Sequence, residues 1–247
     1  MGSAVTGWLH VVLDRPQAEP TAGFWAAALG WPLGQPWPEH PELRSFLPPD
    51  GDAYVHLKHV GSAPAAHLDL EVPDLDEAAD RLLALRAEPV RRTADWWTLR
   101  SPGGLDFCLV LQHPRRRPGP VTGPAGTRRR LVQVCLDLPA QHADAEAAFW
   151  RAALPWREAA LGDPEFLGRL VPPGGSSLQV LLQRLGPDDG GHTTRLHLDL
   201  GSDDLSADVA LLSDLGAEIL HEGDGFVALR DPAGAAFCVT ANSPDAP

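Results

Sequence analysis

Lysine is almost missing from this chain. Lys58 is the only one among 20 basic residues, set against 33 acidic residues in 247 positions, for a net charge of -13. Such a balance lacks the basic face that releases counterions from phosphate, so no nucleic-acid partner is expected. Cysteine is scarce too. Three thiols cannot form a disulfide framework and none sits in a CxxC pair, which points to a reducing compartment and a cytoplasmic location. No apolar run approaches the ~20 residues of a membrane helix, and no charged segment followed by an apolar stretch opens the chain. Neither a membrane nor an export signal is therefore expected. Nucleophile elbow, P-loop and dinucleotide fingerprint are all missing. Hydrophobic residues, by contrast, make up 44%, enough for a core and too many for a disordered chain. The alanine- and arginine-rich composition has a bacterial look.

What the chain does have is a repeat. Trp8-Leu-His-Val-Val-Leu-Asp14 followed by Gly23-Phe-Trp-Ala-Ala-Ala-Leu-Gly-Trp31 returns as Leu131-Val-Gln-Val-Cys-Leu-Asp137 followed by Ala148-Phe-Trp-Arg-Ala-Ala-Leu-Pro-Trp156. His67-Leu-Asp-Leu70 returns as His197-Leu-Asp-Leu200, and Ser101-Pro-Gly-Gly-Leu-Asp-Phe-Cys108 as Asp231-Pro-Ala-Gly-Ala-Ala-Phe-Cys238. Landmarks in one order, twice, indicate a tandem duplication. It predicts a first domain over 1-113, a Pro/Gly/Arg linker over 114-128 and a second domain over 129-247. The arginine runs at 115-117 and 128-130 read as a solvated linker, or as a device that steers an anion or pins the halves together.

Each half is itself double. In the first, alternation predicts strands near 8-14, 53-60, 66-72, 96-100 and 105-111, and helical spacing predicts helices over 18-30 and 75-87. Residues 32-51 are punctuated by Pro and Gly. A strand, a helix and then further strands, four times over, make an α+β layout with a mixed or antiparallel sheet and helices on one face. Strand alternation puts Leu9, Val11 and Leu13 on one face of the first strand and Trp8, His10 and Val12 on the other. By the same rule His56, His67, Asp69, Glu71 and Cys108 face away from the apolar sets.

The motifs Phe24-Trp25 with Leu29-Gly30-Trp31, His67-Leu-Asp-Leu70 and Pro102-x-Gly104-x-x-Phe107-Cys108, each with a copy in the second half, resemble the vicinal oxygen chelate superfamily. This superfamily includes glyoxalase I, bleomycin-resistance proteins and extradiol dioxygenases, and the resemblance is greatest to its bacterial glyoxalase-like branch. Nearly the whole chain is covered. The resemblance implies tandem glyoxalase-like domains, each of two βαβββ units forming a curved mixed sheet with helices on the convex face and a pocket on the concave one. It also implies where a metal would sit. The usual His or Gln, Glu, His, Glu positions fall on His10, His56, His67 and Cys108, so a histidine and a cysteine stand where carboxylates are usual. Three imidazoles and a thiolate would hold one divalent ion, zinc, nickel, copper or iron, in the first domain. In the second half the positions fall on Gln133, Leu181 or Gln179, His197 and Cys238, too poor a set to expect an ion.

Two readings follow. In one, aromatic walls bind a small, planar or hydrophobic molecule for sequestration or resistance, with Trp8, Tyr54, Trp96, Asp69, His197 and Cys238 among the ligand-binding residues. In the other, the metal chelates neighbouring oxygens of a substrate, in a lyase or isomerase with Asp69 or Glu71 moving a proton. A structural alternative stands beside both, since His67/His197 and Cys108/Cys238 recur in both halves and can serve as hydrogen-bonded or buried framework. The partner expected is a small molecule, and the chain is expected as a monomer or homodimer.

Overall fold

The repeated landmarks fold into two equivalent sheets in a computed structural model that describes residues 7-16, 18-61, 65-124, 126-189 and 191-246. The first half runs β1 (Leu9–Arg15), α1 (Ala18–Leu29), β2 (Leu33–Pro36), β3 (Leu43–Phe46), β4 (Val55–His59), then β5 (Ala65–Val72), α2 (Leu75–Ala84), β6 (Glu88–Arg92), β7 (Trp96–Arg100) and β8 (Asp106–Leu111). After β9 (Val121–Thr122) the second half repeats the plan. It runs β10 (Arg128–Leu138), α3 (Ala143–Ala153), β11 (Arg157–Ala159), β12 (Phe166–Val171), β13 (Gln179–Arg184), then β14 (Arg195–Ser202), α4 (Leu205–Asp214), β15 (Glu218–Gly223), β16 (Phe226–Arg230) and β17 (Ala236–Thr240). The sheet orders are β2-β3-β4-β1-β5-β8-β7-β6 and β11-β12-β13-β10-β14-β17-β16-β15. β1 runs parallel to β4, β5 to β8, β10 to β13 and β14 to β17, while the other pairings are antiparallel. The first and last strands of each unit therefore meet at the centre of each sheet, where their outward residues share one concave face.

The local chemistry accounts for these elements. α2 starts at Asp74, whose carboxylate accepts from Glu77 N at 2.8 Å, and it buries Leu75, Ala78, Ala79 and Leu82 at helical spacing. It stops at Ala84, three residues short of the sequence expectation, because Arg86 turns into the left-handed region with φ 76°. α4 is capped in the same way by Asp204 on Ala207 N at 3.0 Å. The Pro/Gly stretch at 32-51 holds two short strands, β2 and β3. Pro36 is accommodated there because β2 is the outermost strand, where one N–H is not needed for the ladder.

One apolar core serves both halves. Trp25 of α1 meets Phe237 of β17 edge-on at 5.3 Å, and Trp150 of α3 meets Phe107 of β8 at the same distance. Each first-unit helix thus packs on the last strand of the opposite half. Of the two arginine runs, Arg115, Arg116 and Arg128 are exposed, but Arg129 and Arg130 are not solvated. Arg129 and Arg130 are 4% and 3% exposed. Arg129 donates to the carbonyls of Ala28 and Ala27 at 2.7 and 3.0 Å, satisfying groups that the end of α1 leaves open. Arg130 donates to the carbonyls of Pro244 and Ser177 at 2.9 and 3.1 Å. Gly30, φ 68°, closes α1 where a Cβ would press on Val121 at 3.2 Å.

Candidate functional site

The concave face of the first sheet encloses a cavity of about 500 Å³ whose walls include His10, His56, His67, Asp69, Trp96 and Cys108. All four residues expected as metal ligands are there, but the structure divides them into two groups. His10 and His56 bond to each other, His56 Nε2 to His10 Nδ1 at 2.9 Å. His10 Nε2 lies 3.2 Å from Glu71 Oε1, and Glu71 is held in turn by Arg115 Nε at 2.7 Å. At the other end Ser45 Oγ meets His56 Nδ1 at 2.9 Å and accepts from Trp37 Nε1 at 3.0 Å. Burial first, and then the electrostatic influence of His10 and of the Arg115 guanidinium, hold His56 well below the ordinary imidazole pKa. Burial works against the charge of Glu71, but its hydrogen bonds from His10 and Arg115 win and keep it a carboxylate.

His67 belongs to the second group. Its Nδ1 lies 2.6 Å from Asp14 Oδ2 and its Nε2 3.4 Å from Asp69 Oδ1. One donor atom each of His67, Asp69 and Cys108 lies within 4.8 Å of the others. The backbone sets this triplet. His67 and Asp69 are two apart on β5, and Asp69 is directly opposite Cys108 on parallel β8. Burial opposes charge on His67, yet the hydrogen bonds to Asp14 and Cys108 and the two carboxylates raise its pKa well above the ordinary value. Burial, then Asp69, pushes the Cys108 thiol up.

The chemistry of the triplet suits a divalent ion. It offers an imidazole, a carboxylate and a sulfur, and Asp69 Oδ1 is buried without a hydrogen-bond partner. Asp14 on the far nitrogen supplies the outer contact that orients a ligating histidine.

Of the expected ligand-binding residues, His197 and Cys238 line a separate cavity in the second half, and Trp8 and Tyr54 line neither. Trp8 and Tyr54 share the strand faces of His10 and His56 by alternation, but both lie in the core, at 4% and 0% exposure. The reason is the second half. Tyr54 donates to the carbonyl of Leu131 at 2.6 Å and packs edge-on against Trp8 and Trp31, so the face is covered there by the opposite domain. Conversely, His40, His113, Arg115 and Ser45 line the cavity although the sequence did not single them out for it. His40 stacks edge-on against Trp96 at 4.9 Å. Ser45 had one available signal, its place opposite His56 in the β3–β4 ladder, but the weak alternation of 32-51 hid that strand.

The second sheet has a smaller cavity, about 200 Å³, lined by Gln133, Leu181, His197, Asp199 and Cys238 among others. Val12 is paired with His56 in the first half, and Cys135 with Leu181 in the second, so Leu181 and not Gln179 is the counterpart of His56. The triplet recurs as His197, Asp199 and Cys238. Here Gln133 Nε2 binds Asp199 Oδ2, and no imidazole pair exists. His197 also closes a group with Cys135 and Asp137. Burial pushes the Cys135 thiol up to about 12.

A model of the glyoxalase-like domain matches residues 10-110 and again 133-240. Among solved structures the chain is similar to a Mn(II)-bound glyoxalase from Novosphingobium aromaticivorans, at 17% identity and TM-score 0.65 over 98% of this chain and 83% of that one. It is also similar to a variant of 4-hydroxymandelate synthase from Streptomyces coelicolor, at 19% identity and TM-score 0.61 over 98% and 94%. A third is a variant of homoprotocatechuate 2,3-dioxygenase from Brevibacterium fuscum, at 14% identity and TM-score 0.63 over 98% and 73%. At these identities the likeness is one of fold. No curated protein sequence matches the chain significantly. Among the described residues no helix is long and apolar enough to cross a membrane.

Proposed function

The chain belongs to the glyoxalase-like domain family through both halves, and from that premise we propose that it binds a small planar molecule in the first-half cavity. The observation that carries this reading is the wall itself. About 500 Å³ of concave space lies between two indoles, Trp37 and Trp96, and a floor of imidazoles. Aromatic walls with a few convergent polar groups suit a flat ligand that carries hydrogen-bonding substituents. Lys58 and Arg115 stand against Glu39, Glu42, Asp69 and Asp95 on the lining, so the cavity does not favour a strongly anionic ligand. The test is quenching of tryptophan fluorescence by a panel of hydroxylated aromatic compounds. Saturable quenching that Trp96→Ala weakens supports the reading, and a panel without saturable quenching sinks it.

A second reading is metal-dependent chemistry, favoured by the triplet. His67, Asp69 and Cys108 would hold the ion, which when bound would act as a Lewis acid toward oxygens of the ligand. The sulfur favours zinc over magnesium or calcium. Three protein donors would leave coordination open toward the cavity. The support is the position of these residues on the cavity wall and the buried Asp69 Oδ1 that lacks a hydrogen bond. In this reading Asp14 orients His67, and the Ser45–His56–His10–Glu71 chain faces the ligand from the same cavity. Elemental analysis of the purified protein tests it, with His67→Ala alongside. Loss of about one equivalent of metal in the variant supports it, and a metal-free wild type that also fails to take up zinc overturns it.

A further inference from the structure

The hydrogen bonds at the cavity floor have a direction, and it can be worked out from one end. Glu71 is a carboxylate and can only accept, so His10 Nε2 must carry the hydrogen between them at 3.2 Å. A neutral His10 then has a lone pair on Nδ1, so the hydrogen in the 2.9 Å bond between the rings sits on His56 Nε2. A neutral His56 in turn presents a lone pair on Nδ1, and the only hydrogen available for the 2.9 Å contact is that of the Ser45 hydroxyl. Trp37 Nε1–H can only donate, and it takes one lone pair of Ser45 Oγ at 3.0 Å. One lone pair of Oγ is left over. Four side chains from four strands, β3, β4, β1 and β5, thus line up so that each draws the next hydrogen away from a serine oxygen on the cavity wall.

We propose that Ser45 is a nucleophile toward activated carboxylic esters, with His56 as its base and His10 and Glu71 as positioning residues. A nucleophile bonded to a base, with the base bonded to an orienting group that ends in a carboxylate, is the arrangement that activates a hydroxyl. Ser45 Oγ bonds to the ester carbonyl carbon, its hydrogen passes to His56 Nδ1, and the bond from that carbon to the leaving oxygen breaks. The hydrogen on His56 goes to the departing oxygen. Water then releases the acid from Ser45 by the same steps in reverse order of roles. Lys58 lines the same cavity and is two residues beyond His56 on β4, an ammonium of the sign that a developing alkoxide needs, on a wall that also carries Glu39, Glu42, Asp69 and Asp95. The indoles of Trp37 and Trp96 make an aryl ester the class that fits the space.

The inference rests on the first cavity being the ligand site, and the two can fail separately. The experiment is incubation of the full chain with an aryl fluorophosphonate, read by intact mass and peptide mapping, with tryptophan quenching by the corresponding unreactive aryl phosphonate as the binding control. One adduct per chain on Ser45, lost in Ser45→Ala, is the expected result. His56→Gln should slow the maximal labelling rate about 10²-fold, the usual scale of general-base help. Glu71→Gln should lower the maximal rate while leaving the probe concentration for half-maximal rate unchanged, a split that a loosened cavity would not give. Quenching without labelling, labelling at another residue, or equal rates in wild type and His56→Gln would each overturn the serine assignment. Labelling absent together with quenching would remove the cavity reading as well.

Discussion

The two halves share a backbone but not a cavity. On the same concave face the first half carries His10, Val12 and His56, and the second Gln133, Cys135 and Leu181. The first cavity is about 500 Å³ and the second about 200 Å³. What both retain is the histidine, the aspartate two residues on and the cysteine opposite it, because strand register fixes all three with no help from the surroundings. The hydrogen-bonded chain from Ser45 to Glu71 exists only where two imidazoles fill the positions beside that triplet. The comparison therefore separates framework from function. What recurs is tied to the fold, and the Ser45–His56–His10–Glu71 chain is what the first half has beyond it.

The halves also differ at their junction, and there the largest effects are expected. Trp25 Nε1 donates to Asp231 of the second-half turn at 2.9 Å, and that carboxylate lies 3.3 Å from the buried Arg15 guanidinium. At the equivalent junction Trp150 Nε1 donates to Glu146 at 2.8 Å, which also accepts from Ser101 Oγ at 2.5 Å and Gly103 N at 2.6 Å. The carboxylate has moved from turn to helix, and with it the cation has gone. Asp231→Ala leaves a buried arginine without its partner and should cost about 3–5 kcal/mol. Glu146→Ala orphans neutral donors but removes a buried charge, and should cost about 2–3 kcal/mol. Urea denaturation of both variants checks the order; a greater loss in Glu146→Ala would show that the guanidinium is not what separates the two junctions.

Ligand affinity gives the next contrast. Trp96 pairs with Val110 across β7–β8 and lines the first cavity, and Phe226 pairs with Thr240 across β16–β17 and lines the second. Trp96→Ala should weaken binding by about 1–3 kcal/mol, in the range of an aromatic anchor at a binding site. Phe226→Ala should leave the same titration within about 0.5 kcal/mol. Equal losses would place the ligand in neither half alone.

How much of this was legible in the sequence follows from what each signal rests on. The duplication and the sheet plan came from order and alternation, which the chain carries locally. The His-x-Asp pair on β5 and Cys108 were legible for the same reason, as residues whose faces are set by strand period. Trp8 and Tyr54 obeyed the same alternation yet went into the core, because the cover over that face comes from Leu131 in the opposite half. Arg129 and Arg130 read as solvated with the rest of their run since the groups they bond include backbone carbonyls, which no sequence pattern advertises. Ser45 was invisible as a site residue because a four-residue strand offers too few alternations to declare itself, and its partner His56 is eleven residues away.

Zinc should divide the halves less sharply. Asp69 Oδ1 and Asp199 Oδ1 both lack a hydrogen bond and lie 3.4 Å from the Nε2 of His67 and His197, but the other oxygen of Asp199 is held by Gln133, and His197 is drawn toward Cys135 and Asp137 as well. In competition with a chromogenic chelator, Cys108→Ser should lower zinc affinity at least about tenfold, since it replaces the soft donor of the more open triplet. Cys238→Ser should lower it less. The reverse order would assign the ion to the second half.

The smallest effect is expected where the second half is made to look like the first. Cys135 stands where Val12 does, fully buried, with its sulfur 3.2 Å from Gln183 Oε1. A buried thiol behaves as a small apolar group with a weak donor, so Cys135→Val keeps the volume and loses little. The stability change should stay within about 1 kcal/mol. The native thiol should also be inert. With burial pushing its pKa up to about 12, Cys135 stays a thiol at pH 8. Iodoacetamide at that pH should leave it unmodified until denaturant exposes it. Rapid native alkylation of Cys135, or a loss well above 1 kcal/mol in the valine variant, would mean that this sulfur has a role beside His197 that the valine of the first half does not share.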